Sequence, residues 1–252
     1  MQSFDTMEET KRKNSDYIER AGKEVKNRLS VNDLISRLVN LVDGLEKAEN
    51  NAFEALFDAY FLYFPEGASL LKERDRFIES IRGNITREKL ASFLSITSSS
   101  MGYDMSDADL KLLEDVIKQI SNLKELSKSI NSHMDAVVRT NYPNLHAVAG
   151  TLVAARLILL CGGVKQLSFM PSSKIQVLGA EKGLFTKSKR TPKYGVIYHH
   201  AALESANQKK RGKIARIVAS FISLAAKVDY FSKKDESKIL LDKMNSKIRS
   251  LK

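Results

Sequence analysis

The feature that most narrows what this chain can fold into is an apolar seam about thirty residues long. Leu110, Leu113, Ile117, Ile120, Leu123, Ile130, Met134 and Val137 recur close to heptad spacing. On an α-helix that spacing draws one apolar stripe, and a stripe of that length must be covered by another helix. Ser106, with Asp109 three residues on, reads as a capping box that opens the helix. Its cover could come from the preceding helices as an antiparallel coiled-coil hairpin, from a second copy of the chain, or from a plain helical bundle. The spacing serves all three.

Other stretches carry the same period. Val31, Leu34, Ile35, Leu38, Leu41, Val42 and Leu45, continued by Phe53, Leu56, Phe57, Tyr60 and Phe61, predict a helix from about Ser30 to "YFLYFPEG", where Pro65 disfavours helical geometry at Phe64. Helices are expected over about Ala68–Ile81 and Thr86–Ile96. Beyond Pro143, "LHAVAGTLVAARLILL" reads as one buried helix from Leu145 to Leu160, capped by Gly162 and Gly163. "VKQLSFM" is a short helix, "KKRGKIARIVASFISLAAKVDYF" a long amphipathic one, and "KKDESKILLDKMNSKIRSLK" another. With only four prolines and twelve glycines, the fold class is all-α. Ile175–Leu178 and Gly195–Tyr198, short runs beside glycines, could pair as at most a minor β-ribbon.

Charge is unevenly distributed. Residues 1–163 hold 21 Lys and Arg against 24 Asp and Glu, whereas residues 164–216 hold 12 against 2. A focused excess of that kind suits a polyanionic partner. Lys182, Lys187, Lys189, Arg190 and Lys193 lie in the glycine-punctuated stretch "VLGAEKGLFTKSKRTPKYGVIYHH". Lys209, Lys210, Arg211, Lys213 and Arg216 crowd a helix start, where Lys213 and Arg216 share a face and Gly212 allows close approach. Between the two clusters stand Tyr194, Tyr198, His199 and His200, flat rings of the kind that stack on unpaired bases. RNA or DNA binding is the reading these residues support.

Catalytic constellations are missing. His133, His146, His199 and His200 form no HExxH pair, and there is no GxSxG, P-loop or GxGxxG motif. His133 and His146 read as structural. Cys161, the one cysteine, excludes a disulfide framework and sits in an apolar run as a buried, inert thiol. A non-enzymatic protein without cofactor or metal is expected. The polar start "MQSFDTMEETKRKNSDYIER" does not read as a signal peptide, and Arg156 interrupts the most apolar stretch, so the expectation is a soluble, cytoplasmic protein with no membrane partner.

The stretch "MPSSKIQVLGAEKGLFTKSKRTPKYGVIYHH", followed by "RGKIARIVASFISLAAKVDYFS", resembles the signature of the Nop domain, found in core proteins of archaeal and nucleolar box C/D ribonucleoproteins and in a spliceosomal relative. "NYPNLHAVAGTLVAARLILLCGGVKQLSFMP", "FLYFPE" and "SSSMGYDMSDADL" extend the resemblance upstream, so that it covers roughly residue 28 to the end. It implies a coiled-coil region over 28–140 that mediates homodimerisation, a Nop domain over 141–252, and a charged arm or loose helix over 1–27.

The resemblance further implies recognition of a composite surface, a kink-turn (box C/D-type) RNA already holding a small ribosomal-type kink-turn-binding protein. Gly179, Ala180, Glu181, Gly183 and Phe185 fall at that surface. Arg211, Lys213 and Arg216 match the basic helix, and His199 stands where spliceosomal relatives have a base-stacking histidine. The family's usual "GAEKALFR" is "GAEKGLFT" here, with Gly183 and Thr186, and "SANQKK" replaces an aromatic pair. Archaeal members of 2′-O-methylation guide complexes carry an N-terminal α/β domain that docks fibrillarin. About 30 residues precede the first recognisable helix here, too few for that domain, so fibrillarin is a partner of the family that these residues do not themselves imply. The implied function is a non-catalytic ribonucleoprotein scaffold. The competing reading is a coiled-coil structural adaptor whose basic segment binds an acidic protein.

Overall fold

A computed structural model describes residues 29–180 and 193–251. All regular structure among them is helical: α1 (Val31–Tyr63), α2 (Pro65–Leu70), α3 (Arg74–Ile81), α4 (Arg87–Leu94), α5 (Asp107–Asn141), α6 (Pro143–Ala149), α7 (Thr151–Cys161), α8 (Val164–Phe169), α9 (Ser172–Val177), a 3₁₀ turn (Val196–His199), α10 (Ala201–Glu204), α11 (Gln208–Lys227), a π-helical turn (Val228–Ser232) and α12 (Ser237–Arg249). The chain forms two compact units. One is Asn40–His133; the other joins the described residues up to Val39 to those from Met134 onward. The divisions fall inside α1 and α5.

In the Asn40–His133 unit, the first half of the α5 seam is covered by its own chain, whereas Leu123 and Ile130 stay half-buried outside the cluster. Leu110, Ile117 and Ile120 are buried in one cluster with Leu56 and Tyr60 of α1, Phe77 and Ile81 of α3, and Leu90 of α4. The capping box forms as the spacing predicts: Ser106 N–H donates to Asp109 at 3.0 Å, and Asp109 N–H returns the bond to the Ser106 hydroxyl. Pro65 ends α1 and becomes the first residue of α2, with Phe64 outside helical geometry between them. The single helix expected over Ala68–Ile81 is instead two. Leu71 turns into the core, 1% exposed, and its burial ends α2 where no glycine or proline marks a stop.

Arg87 organises one end of this unit. Its guanidinium donates to the carbonyls of Tyr63 (2.7 Å), Gly102 (2.9 Å) and Tyr103 (2.8 Å), pairs with Asp104, and lies 4.5 Å from the Tyr63 ring centroid. Tyr103 N–H donates to Leu62 O at 2.8 Å. The carbonyls that α1 leaves unpaired at its C-terminus are thus satisfied by one cation and one loop. Gly102 makes this approach possible, since a Cβ there would stand 2.2 Å from Tyr63 O. Glu66 accepts from Ser100 and Met101, and those bonds hold its carboxyl below the usual range.

In the other unit, α11 is the central element. Ile214, Ala215, Val218, Ala219, Ile222, Ala225 and Ala226 are buried against α6, α8, α9 and α12. The one helix expected from Leu145 to Leu160 is also two. Gly150, at φ +75°, turns the chain by 115° between α6 and α7, a conformation that L-residues rarely adopt. The minor ribbon is a correction. Ile175 lies in α9 and Val196–His199 form a 3₁₀ turn; the two runs meet through Gly195 N–H to Gln176 O (2.9 Å) and Val196 N–H to Leu178 O (2.8 Å), with no strands among the described residues. Cys161 is half-buried and packs against the core. His146 bonds Asp135 at 2.8 Å, a structural contact as expected. No single described helix is long and apolar enough to cross a membrane.

Replacing Arg87 with Met should leave three carbonyls without their donor and lower stability by about 2–4 kcal/mol. Urea denaturation and amide exchange at Tyr103 read the effect. Arg87→Lys should recover little, because an ammonium lacks the planar face that lies on Tyr63 and the further nitrogens that reach Asp104 and the Tyr63 carbonyl. An unchanged midpoint in Arg87→Met would show the clamp to be idle.

Candidate nucleic-acid interface

The basic start of α11 is built on a buried face. Ile214, Ala215 and Val218 anchor its inner side, and Asn207 caps it, its side chain accepting from Lys209 N–H at 3.2 Å. Lys209, Lys210, Lys213 and Arg216 are exposed. The positive end of a 20-residue helix dipole adds to these cations, so this end of α11 presents a local positive field suited to an anion.

Arg211 has a different placement. It is half-buried, donates to Ala206 O at 3.0 Å and to the Tyr198 hydroxyl at 3.4 Å, and its guanidinium lies 5.3 Å from the Tyr198 ring centroid. Tyr198 in turn stacks on Tyr194, with centroids 6.2 Å apart and planes 29° from parallel. A ladder of two rings and one guanidinium therefore flanks the exposed lysines. Thirteen residues separate Arg211 from Tyr198, and no spacing rule in the sequence links them. At Gly212 a Cβ would meet nothing closer than the Tyr194 hydroxyl at 3.7 Å, so the contacts within this chain do not demand glycine there.

The two histidines separate cleanly. His199 is exposed, sits edge-on to Tyr198 at 5.9 Å, and has Nδ1 3.8 Å from a Glu204 carboxylate oxygen. His200 is buried. Its Nε2 bonds Val148 O at 2.8 Å and its Nδ1 accepts from Ala202 N–H at 3.1 Å, so it is the neutral Nε2–H tautomer and holds α10 to α6. Burial pushes its pKa down. Of the two rings, only His199 is placed to meet a ligand.

Gly179 and Ala180 follow α9, and Gly179 takes φ +88°. At Gly195 a Cβ would come within 1.8 Å of Leu178 O. Together with the Gln176 side chain, which donates to Lys193 O at 3.1 Å, these contacts hold the segments ending at Ala180 and beginning at Lys193 side by side. Glu181, Lys182, Gly183, Phe185, Lys187, Lys189 and Arg190 lie outside the described residues. Among the described residues no cluster of His, Cys, Asp or Glu converges to hold a metal ion.

Residues 41–250 match the Nop family, described as "snoRNA binding domain, fibrillarin", and the chain belongs to that family. It is 32% identical to a NOP5 family protein of Methanocaldococcus jannaschii over 87% of this chain and 57% of that protein. It is 34% identical to nucleolar protein 58 of Schizosaccharomyces pombe, over 81% of this chain and 44% of that one. The chain thus spans about half the length of the curated relatives it matches. A solved fibrillarin/Nop5p complex is similar at a TM-score of 0.46 and 26% identity, over 84% of this chain and 75% of that chain.

The His200 geometry predicts a pH dependence. Its folded pKa lies below the ordinary histidine value of about 6.5, so its contribution to stability is complete above that value. The contribution is lost as pH falls through 6.5 toward the folded pKa, because the unfolded chain binds the proton first. Melting temperature should therefore drop between about pH 7 and pH 5, and less steeply in His200→Gln. Equal slopes in the two proteins would remove His200 as the source.

Proposed function

We propose that the chain is a non-catalytic scaffold of a box C/D-type ribonucleoprotein that recognises a kink-turn RNA together with its bound small ribosomal-type protein. The observation that carries this reading is the union, in a Nop family member, of the Tyr194–Tyr198–Arg211 ladder with the exposed cations of α11. Residues 141–252 supply the RNA–protein-binding surface. Lys209, Lys210, Lys213 and Arg216 meet phosphates, and Lys193 with the cations of 182–190 extends the contact. Gly179, Ala180, Glu181, Gly183 and Phe185 face the composite of RNA and protein. Arg211 acts mainly as a positioning residue, holding Tyr198. Fibrillarin, named in the family description and in the similar complex, is a further partner of the assembled particle. The fungal relatives are named nucleolar proteins; in a cell without a nucleolus the same particle would be cytoplasmic.

The unit Asn40–His133 mediates dimerisation in this reading. Support comes from one exposed apolar group: Leu62, Met101 and Tyr103, joined by the Tyr103–Leu62 backbone bond and, for Met101, 88% exposed. Light scattering of the parent should give a dimer, and Leu62→Glu with Met101→Glu a folded monomer. A monomeric parent would end the dimer claim.

A gel shift with kink-turn RNA, with and without the kink-turn protein, tests the main reading. If about half of the 12 basic residues in 164–216 touch phosphates, log affinity falls against log salt with a slope of roughly −4 to −5. Lys213→Ala with Arg216→Ala should weaken binding and reduce that slope by roughly 1 to 2. A flat salt response, or tighter binding to an acidic protein than to RNA, favours the adaptor reading instead.

His199 is the base-stacking residue in this reading. His199→Ala should lose about 1–3 kcal/mol of affinity for the RNA–protein composite with little change in melting temperature. His199→Phe, which keeps a flat ring, should retain much of it. Full affinity in the Ala variant would exclude the stack.

A further inference from the structure

At the far end of α11 from the basic cluster lies a second group of aromatic residues that the reading above does not use. Phe169 at the end of α8 packs edge-on to Tyr230 (6.3 Å) and Phe231 (5.6 Å), and those two meet at 4.8 Å. They are not core: Phe169 is 66% exposed and Phe231 61%. The π-helical turn Val228–Ser232 makes this arrangement. It keeps Asp229 inside and leaves Phe231, two residues on, outside on the opposite side of the same turn, and it closes with Lys233 N–H to Val228 O at 2.8 Å. Lys233 stands at φ +55°, a left-handed conformation unfavourable for lysine.

Beside the rings is a cleft of about 830 Å³, lined among others by Tyr142, Lys165, Asp229, Tyr230, Phe231 and Lys233. That volume is within the range of small-ligand sites. The Asp229 carboxylate is occupied by Asn144 and by the Leu145 N–H, whereas Lys165 and Lys233 have no acidic partner among the described residues. Two exposed lysines and the rings of Tyr142, Tyr230 and Phe231 thus line one cleft. Flat rings with unpaired ammonium groups match a chain of bases and phosphates better than an aliphatic partner surface.

We infer that this end of α11 binds an unpaired stretch of RNA, with a base on Phe231 and phosphates at Lys165 and Lys233. The inference rests on the RNA-binding reading of the other end. At 1.5 Å per residue the 20 residues of α11 separate the two ends by roughly 30 Å. One local contact cannot fill both. The two ends would instead hold the structured part and an adjoining single strand of the same RNA.

The test uses the full chain, a kink-turn RNA with its kink-turn protein bound, and the same RNA carrying an oligouridine tail of about ten nucleotides, enough to cover that separation. The tail should tighten binding by the parent about 5- to 150-fold, the worth of one stacked base. Phe231→Ala should abolish the gain while leaving tail-less binding unchanged, and Phe231→Tyr should keep it. Lys213→Ala with Arg216→Ala should weaken both RNAs alike. Circular dichroism confirms that the variants fold. No gain from the tail in the parent, or an undiminished gain in Phe231→Ala, overturns the inference. So does an oligoglutamate peptide that binds in a Phe231-dependent way and is not displaced by oligouridine. If the parent binds no tail-less composite, the reading of the other end fails, and titration of the chain alone with oligouridine, parent against Phe231→Ala, decides the aromatic site by itself.

Discussion

The buried carboxylate of Asp229 is the contact around which the α11 unit is arranged. It is 7% exposed and accepts from Asn144 Nδ2 (2.7 Å), Asn144 N–H (3.2 Å) and Leu145 N–H (2.8 Å). Burial holds its pKa above the ordinary aspartate range, and those donors offset only part of the rise. A carboxylate in such a place is tolerated only when its lone pairs are filled. Filling them caps the start of α6. Asn144, itself fully buried, also donates to Lys234 O and accepts from Glu236 N–H, so the start of α12 is fastened to the same point. Three elements converge on one polar knot at the C-terminal end of α11.

That knot is what gives α11 two different ends. Its middle is apolar and enclosed by α6, α8, α9 and α12. Its N-terminal end projects cations and carries the positive pole of the helix dipole beside the Tyr194–Tyr198–Arg211 ladder. Its C-terminal end leaves the helix through a π turn, which the Asp229 contacts hold in place and which leaves Phe231 exposed beside Phe169. A straight α-helical continuation would carry Asp229 and Phe231 round at different angles, and the inside–outside division of these neighbours would change.

In the Asn40–His133 unit the corresponding device is Arg87. One guanidinium closes the carbonyl end of α1, fastens the Gly102–Tyr103 loop and lies on Tyr63. Phe53, Tyr60, Tyr63 and Phe77 then meet through edge-on contacts beside it. Leu62 and Tyr103 remain on the outside of the same clamp, which is why the proposed self-association surface and the stability of this unit share residues.

Much of this was legible in the residues themselves. The helical class, the long α5 with its Ser106–Asp109 cap, the stop at Pro65 and the basic start of α11 follow from period, capping chemistry and charge, which are local properties of a chain. The Nop resemblance carried the rest of the functional reading, and the family match over residues 41–250 agrees with it. Contacts between residues far apart in sequence were not legible. Leu71 ends α2 because the core takes it in, and Gly150 bends a run whose composition alone reads as one helix. His200 is withdrawn into a bond with Val148 O while its neighbour His199 stays outside, and Arg211, in sequence one cation among five, lies under a tyrosine thirteen residues away. Side-chain pattern specifies which residues want a partner. Which partner each one meets is decided only when the elements pack, because that choice depends on distances between segments that no local rule contains.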